Sequence, residues 1–199
     1  MPDYAWTDGV APSAATINAN VREQVVTTCT SATRPTNVEG HLIYETNTDR
    51  VLLGTGSGSN WVCLAEPIQT WTPSVSGLTT GNGTWVAYSW RANGIKYCIG
   101  RFTFGSTSAV TGALVVTLPS TALSSSVVEI TGQFTDLSAS AEYPLSGRLV
   151  TTTTAVIGPT LTSGTYGSRS TTSATVPFTW ATGDDILFTM WYPMANRYD

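Results

Sequence analysis

The stretch Thr84-Trp-Val-Ala-Tyr-Ser-Trp-Arg-Ala-Asn-Gly-Ile-Lys-Tyr-Cys-Ile-Gly-Arg-Phe-Thr-Phe104 decides the fold. Asn93-Gly94 at its centre is the strongest short-range hairpin signal, because a two-residue turn needs positive φ at both positions and these two residues tolerate it. The flanks are rich in β-branched and aromatic residues, so the stretch predicts strands over 84–91 and 95–104. Side chains alternate along a strand, which places Trp85 on the face opposite Tyr88 and Trp90.

Working outward, further strands are predicted over 113–118, 127–134, 148–157, 160–166, 175–180 and 185–192, separated by Gly, Pro, Ser and Asp turns. Short strands at this spacing imply an antiparallel β-sandwich of jelly-roll type over residues 68–199. Val86, Tyr88, Trp90, Ile99, Phe102, Val115, Ile130, Phe178, Ile186 and Phe188 are the expected core. Ser and Thr make up roughly a quarter of the chain and charged residues only 11%, against about 25% in ordinary globular proteins. Threonine suits half-wet sheet faces, so the composition also favours a mainly β protein.

Residues 38–67 read as a small β-hairpin module. Gly40-His-Leu-Ile-Tyr-Glu45 and Arg50-Val-Leu-Leu53 are strands joined across Thr46-Asn-Thr-Asp49, and Trp61-Val-Cys-Leu64 is a third short strand. Gly54-Thr-Gly-Ser-Gly-Ser-Asn60 between them is expected to be a flexible loop. It lacks the Gly-Lys-Ser/Thr ending of a phosphate cradle, and no helix follows it. Residues 1–37 form an N-terminal anchor with a helix over 13–26, where Ser13 is the N-cap and Ile17, Val21 and Val25 make one narrow apolar stripe. Such a helix is marginal alone, so its stripe must dock on its own domain, on sister helices or on a larger assembly.

Charge and chemistry narrow the function. The net charge is -4, Lys96 is the only lysine and the arginines are spread along the chain, which argues against nucleic acid. No window is apolar enough for a membrane span and the N-terminus lacks signal-peptide features, so synthesis in a cytoplasm without membrane insertion is expected. Cys29, Cys63 and Cys98 fit reduced thiols better than a disulfide framework. His41 is the single histidine, without Cys or His at metal-ligand spacing and without a Gly-x-Ser-x-Gly elbow. Asp184-Asp185 follows Gly183 and reads as a turn rather than as paired catalytic acids, and Glu129 and Glu142 have no acid/base setting. The expectation is a binding or building protein with no catalytic residues, metal or cofactor. A small glycan hydrolase on the same scaffold is the alternative of another class. Trp71, Trp85, Trp90, Trp180 and Trp191, with Tyr88, Tyr97 and Tyr192, either fill the core or meet a sugar or subunit; Trp85 and Trp90 are the candidate contacts.

Three stretches together resemble the minor tail and fibre proteins of tailed bacteriophages that infect actinobacteria. Ala5-Trp-Thr-Asp-Gly-Val10 followed by Ala14-Ala-Thr-Ile-Asn-Ala-Asn-Val-Arg-Glu-Gln24 is similar to their N-terminal segment. Gly40-His-Leu-Ile-Tyr-Glu-Thr-Asn-Thr-Asp49 with Trp61-Val62 resembles the small hairpin of their stems. Thr70-Trp-Thr-Pro-Ser-Val-Ser-Gly77, Val110-Thr-Gly112, Thr117-Leu-Pro119 and Phe178-Thr-Trp-Ala-Thr-Gly-Asp184 resemble their terminal β-domain. The resemblance implies a virion protein made in the bacterial host cytoplasm and assembled as a homotrimer. Its N-terminal segment would grip other virion proteins, with Trp6, Ile17, Val21 and Val25 as anchor or oligomer contacts, and its β-domain would meet a host surface glycan. Fibre stems are often longer than the segment seen here, so a capsid decoration or head-fibre protein on the major capsid protein fits the same pattern.

Overall fold

The computed structural model describes residues 26–125, 128–163 and 166–196. The expected helix and the contacts Trp6, Ile17, Val21 and Val25 lie outside these residues; only the helix's last position, Val26, is described, and it is exposed just ahead of the first strand. The described chain is mainly β. Its strands are β1 (Thr27–Cys29), β2 (Leu42–Glu45), β3 (Arg50–Gly54), β4 (Trp61–Ala65), β5 (Gln69–Thr70), β6 (Val75–Thr79) and β7 (Thr84–Ala92), followed by β8 (Ile95–Thr103), β9 (Ala109–Thr117), β10 (Glu129–Asp136), β11 (Ala141–Leu149), β12 (Thr154–Ser163), β13 (Tyr166–Arg169) and β14 (Asp185–Pro193). They form one large sheet along the path β1-β2-β3-β4-β7-β8-β14-β10-β11-β12-β9-β6, with β5 added to β7 and β13 to β12. β1 and β2 run parallel.

The β7–β8 hairpin forms as its turn chemistry demands. Asn93 and Gly94 have φ of 47° and 77°, and all nine residues of β7 pair with β8, from Thr84 opposite Thr103 to Ala92 opposite Ile95. β14 then pairs along the whole of β8, and β10 along β14. Gly100 permits this packing: a Cβ there would meet Phe188 Cζ at 2.6 Å, so the absence of a side chain lets the Phe188 ring lie flat against β8.

One core serves the large part of the sheet. Phe102, Phe104, Leu114, Val116, Ile130, Phe134, Leu145, Leu149, Ile157, Phe188 and Met190 come from both ends of the strand path and are buried together. A second, smaller core of Ile43, Leu52, Trp61 and Cys63 holds the small module, with Cys29 against it. The module is locked by Glu45, which is fully buried, bonds Arg34 Nε and accepts from Thr48 Oγ1 at 2.7 Å. The Gly54–Asn60 loop is tied down by one side chain. Asn37 Oδ1 accepts from Thr55 N at 2.8 Å and Gly56 N at 3.0 Å, and Asn37 Nδ2 donates to Asn60 O at 2.8 Å.

Several expectations are corrected. Val86, Tyr88 and Ile99 are exposed and Trp90 and Val115 half-buried, all on the outer face, whereas Phe102, Ile130, Phe178, Ile186 and Phe188 are in the core. Inward on β7 are Ala87, Ser89 and Arg91, because this end of the strand borders a buried polar junction with the small module. The single strand expected over 148–157 is the end of β11, a turn at 150–153, and the start of β12. No strand spans 175–180; an irregular segment with a cis Val176–Pro177 bond delivers Phe178 and Trp180 to the core instead.

Candidate functional site

The outer face of β7, β8 and β14 carries the candidate site. Register brings Trp90 opposite Tyr97 and Tyr97 opposite Trp191, so three aromatics from three neighbouring strands stand in one row. Trp90 stacks on Tyr97 with ring centroids 5.4 Å apart and planes inclined by 9°. Trp191 is 40% exposed. The next row on the same face is Tyr88, Ile99 and Thr189, continued on β10 by Thr131; the one after is Val86, Arg101, Leu187 and Gln133. Arg101 Nη2 bonds Asp185 Oδ2 at 2.5 Å, and Thr103 Oγ1 donates to Asp185 Oδ1 at 2.6 Å. Asp185 lifts the Arg101 guanidinium above its ordinary pKa through that bond and its charge.

Alternation thus sorts the aromatic residues. Tyr88, Trp90, Tyr97 and Trp191 face outward. Trp71, Trp85, Trp180 and Tyr192 belong with the core: Trp180 stacks on Phe104 at 4.7 Å and donates to Ser173 O at 2.9 Å, and Trp85 lies 5.0 Å from Phe102 and 6.2 Å from Phe188. Trp85 Nε1 is buried without a hydrogen-bond partner. The two candidate contacts, Trp85 and Trp90, are therefore not brought together; they stand on opposite faces of β7.

Among the described residues weighed for catalysis, His41, Asp184 and Glu142 each make side-chain hydrogen bonds. His41 Nε2 is 2.9 Å from Thr27 Oγ1 and its ring is 6.0 Å from Trp61, which fastens β1 to the small module. Asp184 is fully buried, accepting from Leu137 N at 3.0 Å and Ala181 N at 2.6 Å, so it closes the turn ahead of β14. Glu142 accepts from Gln133 Nε2 at 3.1 Å. Cys63 and Cys98 are buried and Cys29 is half-buried. Burial pushes the Cys98 thiol up to about 12. Among the described residues no group of His, Cys, Asp and Glu has the arrangement of a metal site. A cleft of about 400 Å³ lies on the small module between Arg34, Asn37, Ser59 and Trp61.

No family model, no curated protein and no solved structure matches the chain.

Sequence reading singled out Trp90 but left Tyr97 and Trp191 among many ambiguous aromatics, because the row depends on pairing β8 with a strand some ninety residues away along the chain, at Trp191. The arginines are dispersed along the sequence, and only the pairing of β11 and β13 with β12 sets Arg148 and Arg169 on the same face of that strand.

Proposed function

We propose that the chain is a structural protein of a tailed-phage virion, a tail-associated fibre or receptor-binding protein that presents a homotrimeric β-part to the host surface. The observation that carries this reading is the outer row Trp90, Tyr97 and Trp191, which stands clear of the core beside the exposed Tyr88, Ile99 and Val86. A contiguous exposed aromatic and aliphatic surface on a folded chain marks a place where something binds. The order of the sequence motifs supports the direction, with the N-terminal segment gripping other virion proteins and the β-part outermost. We also read the sheet as a jelly-roll-like antiparallel sandwich, since Phe102 on β8 and Leu114 on β9 share one core although their strands lie far apart on the path.

Two measurements test the proposal. Purified protein should compete with phage particles for adsorption to host cells, and gold-labelled antibody should mark the tail. Label on the head would refute the tail assignment. One observation favours that second reading, a capsid decoration or head-fibre protein: β4 pairs directly with β7, Ala65 opposite Ala92, so the small module is joined to the large part of the sheet without an intervening stalk. The same competition assay separates the two, because a head decoration has no part in tail-mediated adsorption.

A further inference from the structure

The outer face does not end at the aromatic row. Met190, Ile130 and Gly147 pair across β14, β10 and β11 with Met190 and Ile130 inward, so the next positions along β14 and β11, Trp191 and Arg148, are outward. Arg148 thus stands two strands beyond Trp191, about 10 Å away at ordinary strand spacing. It pairs with Val156 on β12, and two outward positions along that strand Thr160 pairs with Arg169 of β13. At the outward position between them, Gly158 is buried: a Cβ there would meet Ser170 O at 2.2 Å and Arg169 Cγ at 3.6 Å, so the chain leaving β13 and the Arg169 stem lie over β12 at this point. Ser146 and Thr160 form the polar floor, with Thr160 Oγ1 donating to Ser146 Oγ at 2.9 Å.

Both arginines are exposed, and among the described residues neither makes an ion pair. Burial and then the Arg148 charge hold the Arg169 guanidinium below its ordinary pKa. Planar guanidinium groups bind carboxylate and phosphate through paired, charge-assisted hydrogen bonds.

We propose that this face binds an acidic saccharide, its sugar rings against Trp191 and the Trp90–Tyr97 pair and its anionic group between Arg148 and Arg169. The proposal rests on the receptor-binding reading and names the class of receptor. An anion is specified by the arginine pair, and a sugar by the aromatic row at oligosaccharide distance from it. Neutral polymers would leave the arginines unused, and a flat apolar partner would bury their charge without compensation.

The test is calorimetric titration of the full chain with a galacturonic acid trimer, a neutral galactose trimer and inorganic phosphate. The acidic trimer should bind, weaken as salt rises, and bind more tightly than either control. An Arg148→Gln/Arg169→Gln variant with unchanged thermal melting should lose about tenfold or more in affinity for the acidic trimer, since its charge-assisted hydrogen bonds are removed. Trp191→Ala should weaken the same titration. Equal binding of neutral and acidic trimers, or an unchanged double variant, overturns the proposal. Phosphate binding as tightly as the trimer overturns the saccharide part. Loss of oligomer in Trp191→Ala without any saccharide binding to the parent chain makes the face a contact between copies and also overturns it. Failure here is distinct from failure of the functional reading: parent and double variant blocking adsorption equally well sinks only this inference, whereas acidic-trimer binding without any block of adsorption sinks only the receptor-binding role.

Discussion

Lys96 Nζ and Glu66 Oε1 form an ion pair buried under the junction of the small module with the large part of the sheet, and Arg50 Nη2 approaches the other oxygen of Glu66 at 3.9 Å. Lys96 sits on the inward face of β8, where alternation alone would place an apolar residue. Removing one member of such a pair leaves the other charge stranded. Glu66→Ala is therefore expected to lower unfolding stability by about 3–5 kcal/mol in urea denaturation, far more than loss of a surface pair. A change below about 1 kcal/mol would mean that water reaches the junction.

Asp184 closes a different joint. Its two carboxylate oxygens accept from Leu137 N and Ala181 N, so the turn before β14 and the turn after β10 share one acceptor residue. Asn at this position replaces one acceptor with a donor and sets it against an amide hydrogen. Asp184→Asn should cost about 1–3 kcal/mol in the same assay.

The hairpin turn supplies a backbone test. Gly94 holds a φ of 77° at the second turn position. Gly94→Ala forces an L-residue into the left-handed region, at about 1–2 kcal/mol. The substitution should lower the midpoint of thermal unfolding without altering the strand content seen by circular dichroism.

Alkaline pH should loosen the core. Cys98 is pushed from 9.0 to about 12, first by burial, and Tyr192 is also raised, first by burial, while its hydroxyl donates to Ser120 O at 3.1 Å. For groups whose folded pKa is raised, the stabilisation is complete below the unfolded pKa and is lost as pH rises through the folded value. Denaturant stability should thus fall between about pH 9 and 12. At neutral pH a thiol reagent should modify Cys29 ahead of Cys63 and Cys98, which react only as the chain opens. Fast labelling of Cys98 in the native state would contradict its burial.

What the sequence revealed was local. Asn93-Gly94 named its own turn, and the alternation around it separated Trp85 from Trp90 correctly, because both signals act over a few residues. Which face turns inward was not legible: Val86, Tyr88 and Ile99 are more apolar than Ser89 and Arg91, yet the latter are buried, since their neighbours across the junction are polar. β11 was hidden by Pro144 and Gly147, residues of low strand propensity that long-range pairing with β10 and β12 overrides. The segment around Phe178 misled in the opposite sense, its aromatic spacing imitating a strand. The candidate site suffered most, because every row on the outer face is assembled from residues distant in the chain.

The width of the junction has a mechanical consequence. Along β4 and β7 only Ala65 and Ala92 are paired, flanked by the bonds from Glu66 N to Arg91 O and from Asn93 N to Leu64 O, whereas β7 and β8 are joined over nine residues. If one end of the molecule is fixed and the other pulled, tension concentrates on this narrow seam. The Lys96–Glu66 pair beneath it then acts as a rivet, and the small module would tear free before the large part of the sheet begins to unravel.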